Sequence, residues 1–258
     1  MGQGNRRKIA MKEPLKFLFK FPCRGREKSL FESLDSLNNN IRDRDNYHIS
    51  LTLDTDDPVL NNEQVISALS LYPNISIEWG LSGSKIAAIN RSMPDYDWDV
   101  VICWSNDMVC TFFGFDDIIR GEAKDALQEH DYDLLLHLPE EDTKDILNTL
   151  YIATRKYYER FGYIYHPSYL SLFCDNETMA VSKMLGRYHF LNTYGLYVHK
   201  NPAYHVHGLE RDELFDYQQS LWGVDEKNYN ERVAIKFGLK DEEIVNRKII
   251  AGGRVHNF

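Results

Sequence analysis

A carboxylate interrupts an apolar run, VVICWSNDMVC, that covers residues 100–110. Asp107 follows Ser105 and Asn106, at the point where the apolar residues of a buried strand stop. A carboxylate beside a buried strand is costly unless a cation or a metal ion compensates its charge. The pattern therefore favours Asp107 as a ligand of a divalent cation, and the structural alternative is an acid that caps the next segment.

A second acidic segment, CDNE at residues 174–177, follows the aromatic stretch GYIYHPSYLSLF. Asp175 and Glu177 stand at the start of a predicted helix that Asp175 or Asn176 is expected to cap. Either carboxylate is suitably placed to act as a general base towards an acceptor group. The alternative is structural, since acids in the first turn of a helix are stabilised by the helix dipole alone.

Polar residues also follow three further predicted strands. Arg24 and Arg26 lie in the loop PCRGR, Asp54 opens the turn DTDDP, and Lys85 lies in the helix SKIAAINRS. In open α/β sheets, ligands bind beyond the carboxyl ends of the strands. A phosphate would explain the cations but not Asp107, whereas a divalent metal bound to a diphosphate explains both. The alternatives are a solvated loop and an ordinary Asp-rich turn.

Strand and helix patterns alternate four times in the first 105 residues, which predicts a Rossmann-like α/β sandwich with a mostly parallel central sheet. The fourth strand is fully apolar, as expected in the middle of a sheet that is covered on both faces. The first helix is predicted to open with a capping box at Ser29 and Glu32. Two helices are predicted after residue 209, and one compact domain is expected.

The composition limits the classes of protein and of partner. The chain has 258 residues, 43% of them hydrophobic, and a net charge of −9, which indicates a globular protein that does not bind a nucleic-acid polymer. No stretch has the length of a transmembrane segment or the pattern of a secretory signal, so a cytoplasmic protein is expected. Four widely spaced cysteines predict packed, reduced thiols.

Three histidines occur late in the sequence. His199 ends an apolar strand, and His205 and His207 form an H-x-H pair in the loop that follows. Each is a possible metal ligand, although a histidine needs convergent partners from elsewhere in the chain to bind a metal.

Taken in order, these segments resemble nucleotide-sugar-dependent glycosyltransferases of the GT-A fold, family-2-like members in particular. The resemblance rests on P-x-R-G-R, D-x-D-D-P, a Lys-bearing helix ending in N-R, S-x-D-M and D-N-E, and spans about residues 15–205. It implies a catalytic domain at 15–208, and the residue patterns on either side predict a mobile basic tail at 1–14 and a C-terminal helical extension at 209–258. The nucleotide-sugar half would cover 15–110 and the acceptor half 111–208.

The resemblance also implies roles for the candidate residues. Ser105-Asn106-Asp107 is similar to the family's Asp-x-Asp element without its first acid, and Asp107 would bind Mn²⁺ or Mg²⁺ at the diphosphate. His199, or else His205 or His207, would complete the metal site. Arg24 and Arg26 would lie in the loop that frames the nucleotide, and Asp54 would contact its base. Lys85 would lie near the donor phosphates, and Asn106 would hydrogen-bond the ribose or the sugar.

The implied reaction is the transfer of a sugar from a nucleotide sugar, with UDP-sugars favoured, to a glycan or another hydroxyl acceptor. Asp175 would deprotonate the acceptor in an inverting displacement, and Glu177 is the second candidate for the base. Cys174 replaces the first acid of the family's Glu-Asp pair. Two alternatives are a sugar nucleotidyltransferase, although PCRGR lacks a Gly-rich triphosphate loop, and a catalytically silent nucleotide- or glycan-binding protein.

Overall fold

The computed structural model describes residues 14–203 and 210–258. Within these two ranges the strands are β1 (Phe17–Cys23), β2 (Tyr47–Asp54), β3 (Ile75–Gly80), β4 (Val100–Cys103), β5 (Met108–Cys110), β6 (Leu135–His137), β7 (Ile152–Thr154), β8 (Tyr188–Phe190), β9 (Tyr197–His199), β10 (Lys248–Ala251) and β11 (Arg254–Asn257). The helices are α1 (Glu27–Asn40), α2 (Glu63–Leu69), α3 (Lys85–Asn90), α4 (Phe115–Glu129), α5 (Arg155–Phe161), α6 (Cys174–Met184), α7 (Glu213–Ser220) and α8 (Trp222–Ala234).

Seven strands form the central sheet in the order β3-β2-β1-β4-β7-β6-β8. The pairings among β3, β2, β1 and β4 are parallel, and so is that of β6 with β8, whereas β7 is antiparallel to both of its neighbours. The prediction of an α/β sandwich with a mostly parallel sheet is confirmed. Two small antiparallel pairs, β5–β9 and β10–β11, lie outside the central sheet.

Both faces of the sheet are covered, which explains why its central strands are apolar throughout. Phe17, Phe19 and Phe21 of β1 share one hydrophobic cluster with residues of α1, α2 and α4. Leu18 lies in the other cluster, with residues of α3, α6 and α8. Because successive side chains of a strand point to opposite faces of the sheet, β1 packs against both layers of helices.

The structure corrects the predicted starts of two helices. α1 begins at Glu27, so Ser29 lies inside the helix and does not cap it, and α6 begins at Cys174, so neither Asp175 nor Asn176 is its N-cap. The actual N-cap residues, Arg26 and Phe173, have left-handed backbones with φ of 52° and 61° and make no side-chain cap. Tertiary contacts around these two residues therefore outweigh local capping preferences.

Two further predictions concern the cysteines and the membrane. All four cysteines are buried free thiols, as predicted. Among the described residues, no helix has the length and apolar character needed to cross a bilayer.

A lysine lies in the middle of the sheet. Lys20 of β1 is fully buried, and its amine lies 3.4 Å from the hydroxyl of Ser50 on β2. Burial lowers the pKa of Lys20 to about 8, and the charges of Glu78 and Cys103 only partly oppose that effect. The folded protein consequently binds fewer protons than the unfolded chain between about pH 8 and the ordinary lysine pKa of 10.5.

We expect Lys20→Met to be more stable than the wild type at pH 7, with an advantage that shrinks as the pH rises. The pKa difference corresponds to about 3 kcal/mol of unfolding free energy, which the wild type regains between pH 8 and 10.5 as Lys20 loses its proton in the folded state. Urea denaturation at pH 7 and pH 10 measures the change. Lys16→Met, at a partly exposed amine beside Asp97, is the control. A difference between Lys20→Met and wild type that is independent of pH would contradict this prediction.

Candidate active site

The carboxyl ends of the parallel strands β1 to β4 meet at one edge of the sheet, where two adjoining cavities open. The first has a volume of about 290 Å³ and is also lined by α7. Six of the candidates predicted from sequence lie on its wall, namely Arg24, Arg26, Asp54, Lys85, Asn106 and Asp107. The edge of the sheet thus brings together residues that are up to 83 positions apart in the sequence.

The second cavity has a volume of about 400 Å³ and contains Asp175 and His199. It shares part of its wall with the first cavity, namely Pro22, Lys85, Ser105 and Ser171. Its outer wall comes from the C-terminal part of the chain, through Trp222 and Arg254. The two cavities therefore form one cleft, with Lys85 at the junction.

Asp107 and His199 face each other because β5 and β9 pair in register. Met108 lies opposite His199, and the amide of Lys200 donates to the carbonyl of Asp107 at 2.6 Å. Asp107 Oδ1 is 3.4 Å from His199 Nε2, and it also accepts a hydrogen bond of 2.5 Å from Ser105. On the other side of the ring, His199 Nδ1 is 3.3 Å from Oε2 of Glu140.

The charges of this cluster are strongly coupled. Burial alone would raise the pKa of Asp107, but the charge of His199, with that of Lys85, holds it well below its usual value. Burial would likewise lower the pKa of His199, yet Asp107 and Glu140 raise it to about 10. The two carboxylates thus favour the protonated form of the ring.

The donor atoms of Asp107 and His199 fit part of a site for Mn²⁺ or Mg²⁺. Two ligands that each lie about 2.1 Å from one ion are about 3.0 to 3.4 Å apart at angles of roughly 90 to 110°. The 3.4 Å between Oδ1 and Nε2 meets that requirement. Among the described residues, no group of three or more acids, histidines and cysteines could hold a metal. The remaining ligands would have to be substrate oxygens or water.

Arg26 lies over this cluster in a constrained conformation. Gly25 and Arg26 both have left-handed backbones, and the amide of Gly25 donates to Asp57 at 2.6 Å. The guanidinium forms two hydrogen bonds with Asp212, of 2.5 and 2.7 Å, and its Nη1 is 3.9 Å from Asp107. A left-handed residue other than glycine costs about 1–2 kcal/mol, so these contacts hold Arg26 at the mouth of the cavity.

Asp54 lies between two arginines at the far end of the first cavity. Its carboxylate accepts hydrogen bonds from Arg91 and, at 3.0 Å, from Arg24, which also pairs with Asp56 at 2.7 Å. A Cβ at Gly80 would lie 2.9 Å from the Arg91 guanidinium, so a larger residue there would displace this side chain from Asp54. The carboxylate of Asp54 is thus largely occupied by protein partners.

Asp175 and Glu177 lie in different surroundings. Burial raises the pKa of Asp175, which lines the second cavity and accepts a hydrogen bond from the amide of Asn176. Glu177 is buried in a two-point ion pair with Arg232 of α8, at 2.5 and 2.6 Å, and accepts a hydrogen bond from Tyr169. Glu177 does not line the cleft, because α6 directs it towards α8, so its expected role as an alternative base finds no support in this geometry.

Several residues of the site were not predicted. Glu140 contacts His199, and Asp212 pairs with Arg26. Asp225 of α8 accepts hydrogen bonds from three successive backbone amides, at 170–172, in the wall of the cleft. Of these residues only Glu140 could have been identified from the sequence, because it is an acid that closely follows the apolar strand β6 in the segment DLLLHLPEED. His205 and His207 lie outside the described residues.

The structure is similar to solved glycosyltransferases. A mannosyltransferase from Pyrobaculum calidifontis, PcManGT, in complex with GDP-Man and Mn²⁺, has a TM-score of 0.59 at 14% identity, over 84% of this chain and 64% of that one. S. aureus TarS 1–349 in complex with UDP has a TM-score of 0.55 at 15% identity, over 89% and 77%. Its complex with UDP-GlcNAc has a TM-score of 0.55 at 16% identity, over 86% and 70%.

These similarities show that the chain has the GT-A fold that was expected from its sequence. The chain spans 64% of the length of the mannosyltransferase. No model of a known protein family and no curated protein matches the sequence.

Proposed function

We propose that the protein is a metal-dependent glycosyltransferase that moves a sugar from a nucleoside-diphosphate sugar to an acceptor hydroxyl with inversion. The observation that carries this proposal is the cleft at the carboxyl edge of the sheet. An acid–histidine pair suited to a divalent cation lies there between a first cavity lined by three cationic and three acidic side chains and a second cavity that contains Asp175. The fold of the structural neighbours, which bind GDP-Man with Mn²⁺ or UDP-GlcNAc, is consistent with it.

In this proposal the first cavity holds the nucleotide. Arg24, whose guanidinium Asp54 holds in place, contacts the nucleoside. Asn106, which is almost fully buried, hydrogen-bonds the ribose or the sugar. Lys85 binds the diphosphate, and among the residues that the structure describes it has no competing ion pair. Arg26 reaches the same phosphates once it exchanges Asp212 for a phosphate oxygen.

A Mn²⁺ or Mg²⁺ ion held by Asp107 and His199 would supply a Lewis acid that neutralises the leaving diphosphate. Asp175 accepts the proton of the acceptor hydroxyl, whose oxygen forms the new bond to the anomeric carbon from the opposite face. The bond between that carbon and the diphosphate oxygen breaks, and its electron pair leaves with the nucleoside diphosphate. The raised pKa of Asp175 makes it a stronger base than an exposed aspartate.

A thermal-shift panel of UDP, GDP, ADP and CDP, each with and without Mn²⁺, tests the proposal. We expect UDP, or else GDP, to stabilise the protein only with Mn²⁺, because an ion held by Asp107 and His199 would neutralise the charge of the diphosphate. At 100 times the Kd the gain is about 2.7 kcal/mol, or a rise in Tm of roughly 5–10 °C for a chain of this size.

Asp107→Ala should lose the Mn²⁺-dependent part of the shift, whereas Asp125→Ala, at an exposed position of α4, should keep it. No shift with any nucleotide would overturn the proposal. Release of pyrophosphate from a nucleoside triphosphate, in place of nucleoside diphosphate from a nucleotide sugar, would instead indicate a nucleotidyltransferase.

A further inference from the structure

Glu140 is a buried acid, and both oxygens of its carboxylate contact neighbouring side chains. It is 2% exposed and lies in the loop that follows β6. Oε1 accepts hydrogen bonds of 2.9 Å from the hydroxyls of Thr143 and Thr149. Two hydroxyl donors on one oxygen leave the other oxygen, Oε2, to face the imidazole of His199 at 3.3 Å.

The ring of His199 thus has a carboxylate at each nitrogen. Nε2 faces Asp107 at 3.4 Å, and Nδ1 faces Glu140 at 3.3 Å. A neutral imidazole carries its proton on one nitrogen and a lone pair on the other, and only the lone pair can bind a metal. A carboxylate at Nδ1 holds the proton there and leaves the lone pair on Nε2, on the side of Asp107.

We propose that Glu140 is the positioning residue of the metal site, which holds His199 in the orientation and tautomer that bind the cation through Nε2. This inference rests on the proposed function, because it assumes the site formed by Asp107 and His199. Glu140 does not touch the ion or the substrate in this arrangement. Its charge adds to the electron density of the ring and so strengthens Nε2 as a ligand.

Glu140→Gln separates this role from simple packing, because glutamine has nearly the same shape. If its amide oxygen still accepts the hydrogen bonds from the two threonine hydroxyls, its NH₂ group must face Nδ1 of His199. Nδ1 then becomes the acceptor, and the ring proton moves to Nε2, where it blocks the metal. A purely structural Glu140 would tolerate this isosteric change without a change in metal affinity.

The test is the Kd for Mn²⁺ in the presence of saturating UDP or GDP, measured on the full chain by electron paramagnetic resonance of the free ion. We expect Glu140→Gln and Glu140→Ala to weaken Mn²⁺ binding about 10- to 100-fold. Glu141→Ala, at the exposed neighbouring position, should bind Mn²⁺ like the wild type. Circular dichroism and urea unfolding of Glu140→Gln verify that this variant is folded.

The outcomes distinguish this inference from the proposed function. Wild-type Mn²⁺ affinity in Glu140→Gln, together with weakened affinity in His199→Ala, would overturn the role of Glu140 and leave the metal site intact. A wild-type protein that binds no Mn²⁺ with either nucleotide would overturn the site itself, and the role of Glu140 with it.

Discussion

The Asp175→Asn variant should lose about 10³-fold in kcat, equivalent to about 4 kcal/mol of activation free energy, while it still binds the Mn²⁺–nucleotide complex. Asparagine keeps the size of the side chain but cannot accept the proton of the acceptor hydroxyl. Asp175 lines the second cavity, so donor binding in the first cavity should be unchanged. The measurement is the steady-state release of nucleoside diphosphate from the nucleotide sugar, with water as acceptor.

The thermal shift of Asp175→Asn with Mn²⁺ and nucleotide provides the internal control, and it should match that of the wild type. Asp125→Asn is the matched control for turnover, because Asp125 is exposed on α4. Turnover of Asp175→Asn within a few-fold of the wild type would show that another group is the base.

The Asp225→Ala variant should lose about 4 kcal/mol of unfolding free energy. The Asp225 carboxylate is fully buried and accepts hydrogen bonds from the amides of Leu170, Ser171 and Leu172, at 2.7–2.9 Å. Each buried amide that loses its acceptor costs about 1–3 kcal/mol, and alanine removes the acceptor of all three. Urea denaturation of the variant and the wild type at the same pH gives the difference.

Asp216→Ala is the control for this stability prediction, because Asp216 is exposed on α7 and its pair with Arg211 lies in solvent. Exposed ion pairs contribute only about 0–1 kcal/mol, so this variant should remain near wild-type stability. A loss below about 1 kcal/mol in Asp225→Ala would mean that water replaces the carboxylate at these amides.

The centre of the sheet follows from sequence patterns because its strands are buried on both faces. Such strands read as apolar runs, and β4 (Val100–Cys103), whose four residues are all buried, lies in the apolar run that predicted the fourth strand. The short strands β5 and β8 and the terminal hairpin β10–β11 were not predicted. With three or four residues each, they are too short for a period-2 pattern to stand out.

The positions of the candidate residues were predictable to the extent that the sheet is parallel. Asp54 ends β2, whereas Arg26 and Asp107 follow β1 and β4, and parallel strands place such residues at one edge. Glu177 shows the limit of this reasoning. Its place in the first turn of α6 is evident in the sequence, but its partner Arg232 is 55 residues away.

The sequence by itself determined the order of strands and helices from β1 to β4 and the chemical nature of the residues at the ends of these strands. Hydrophobic periodicity and residue type are local properties, so they can be read without the rest of the chain. The tertiary structure alone decided that β7 runs antiparallel between β4 and β6, which brings Glu140 to the same edge as Asp107. It also brought Asp212 and Asp225 to the cleft, because contacts between distant segments depend on how the helices pack and leave no periodic trace in the sequence.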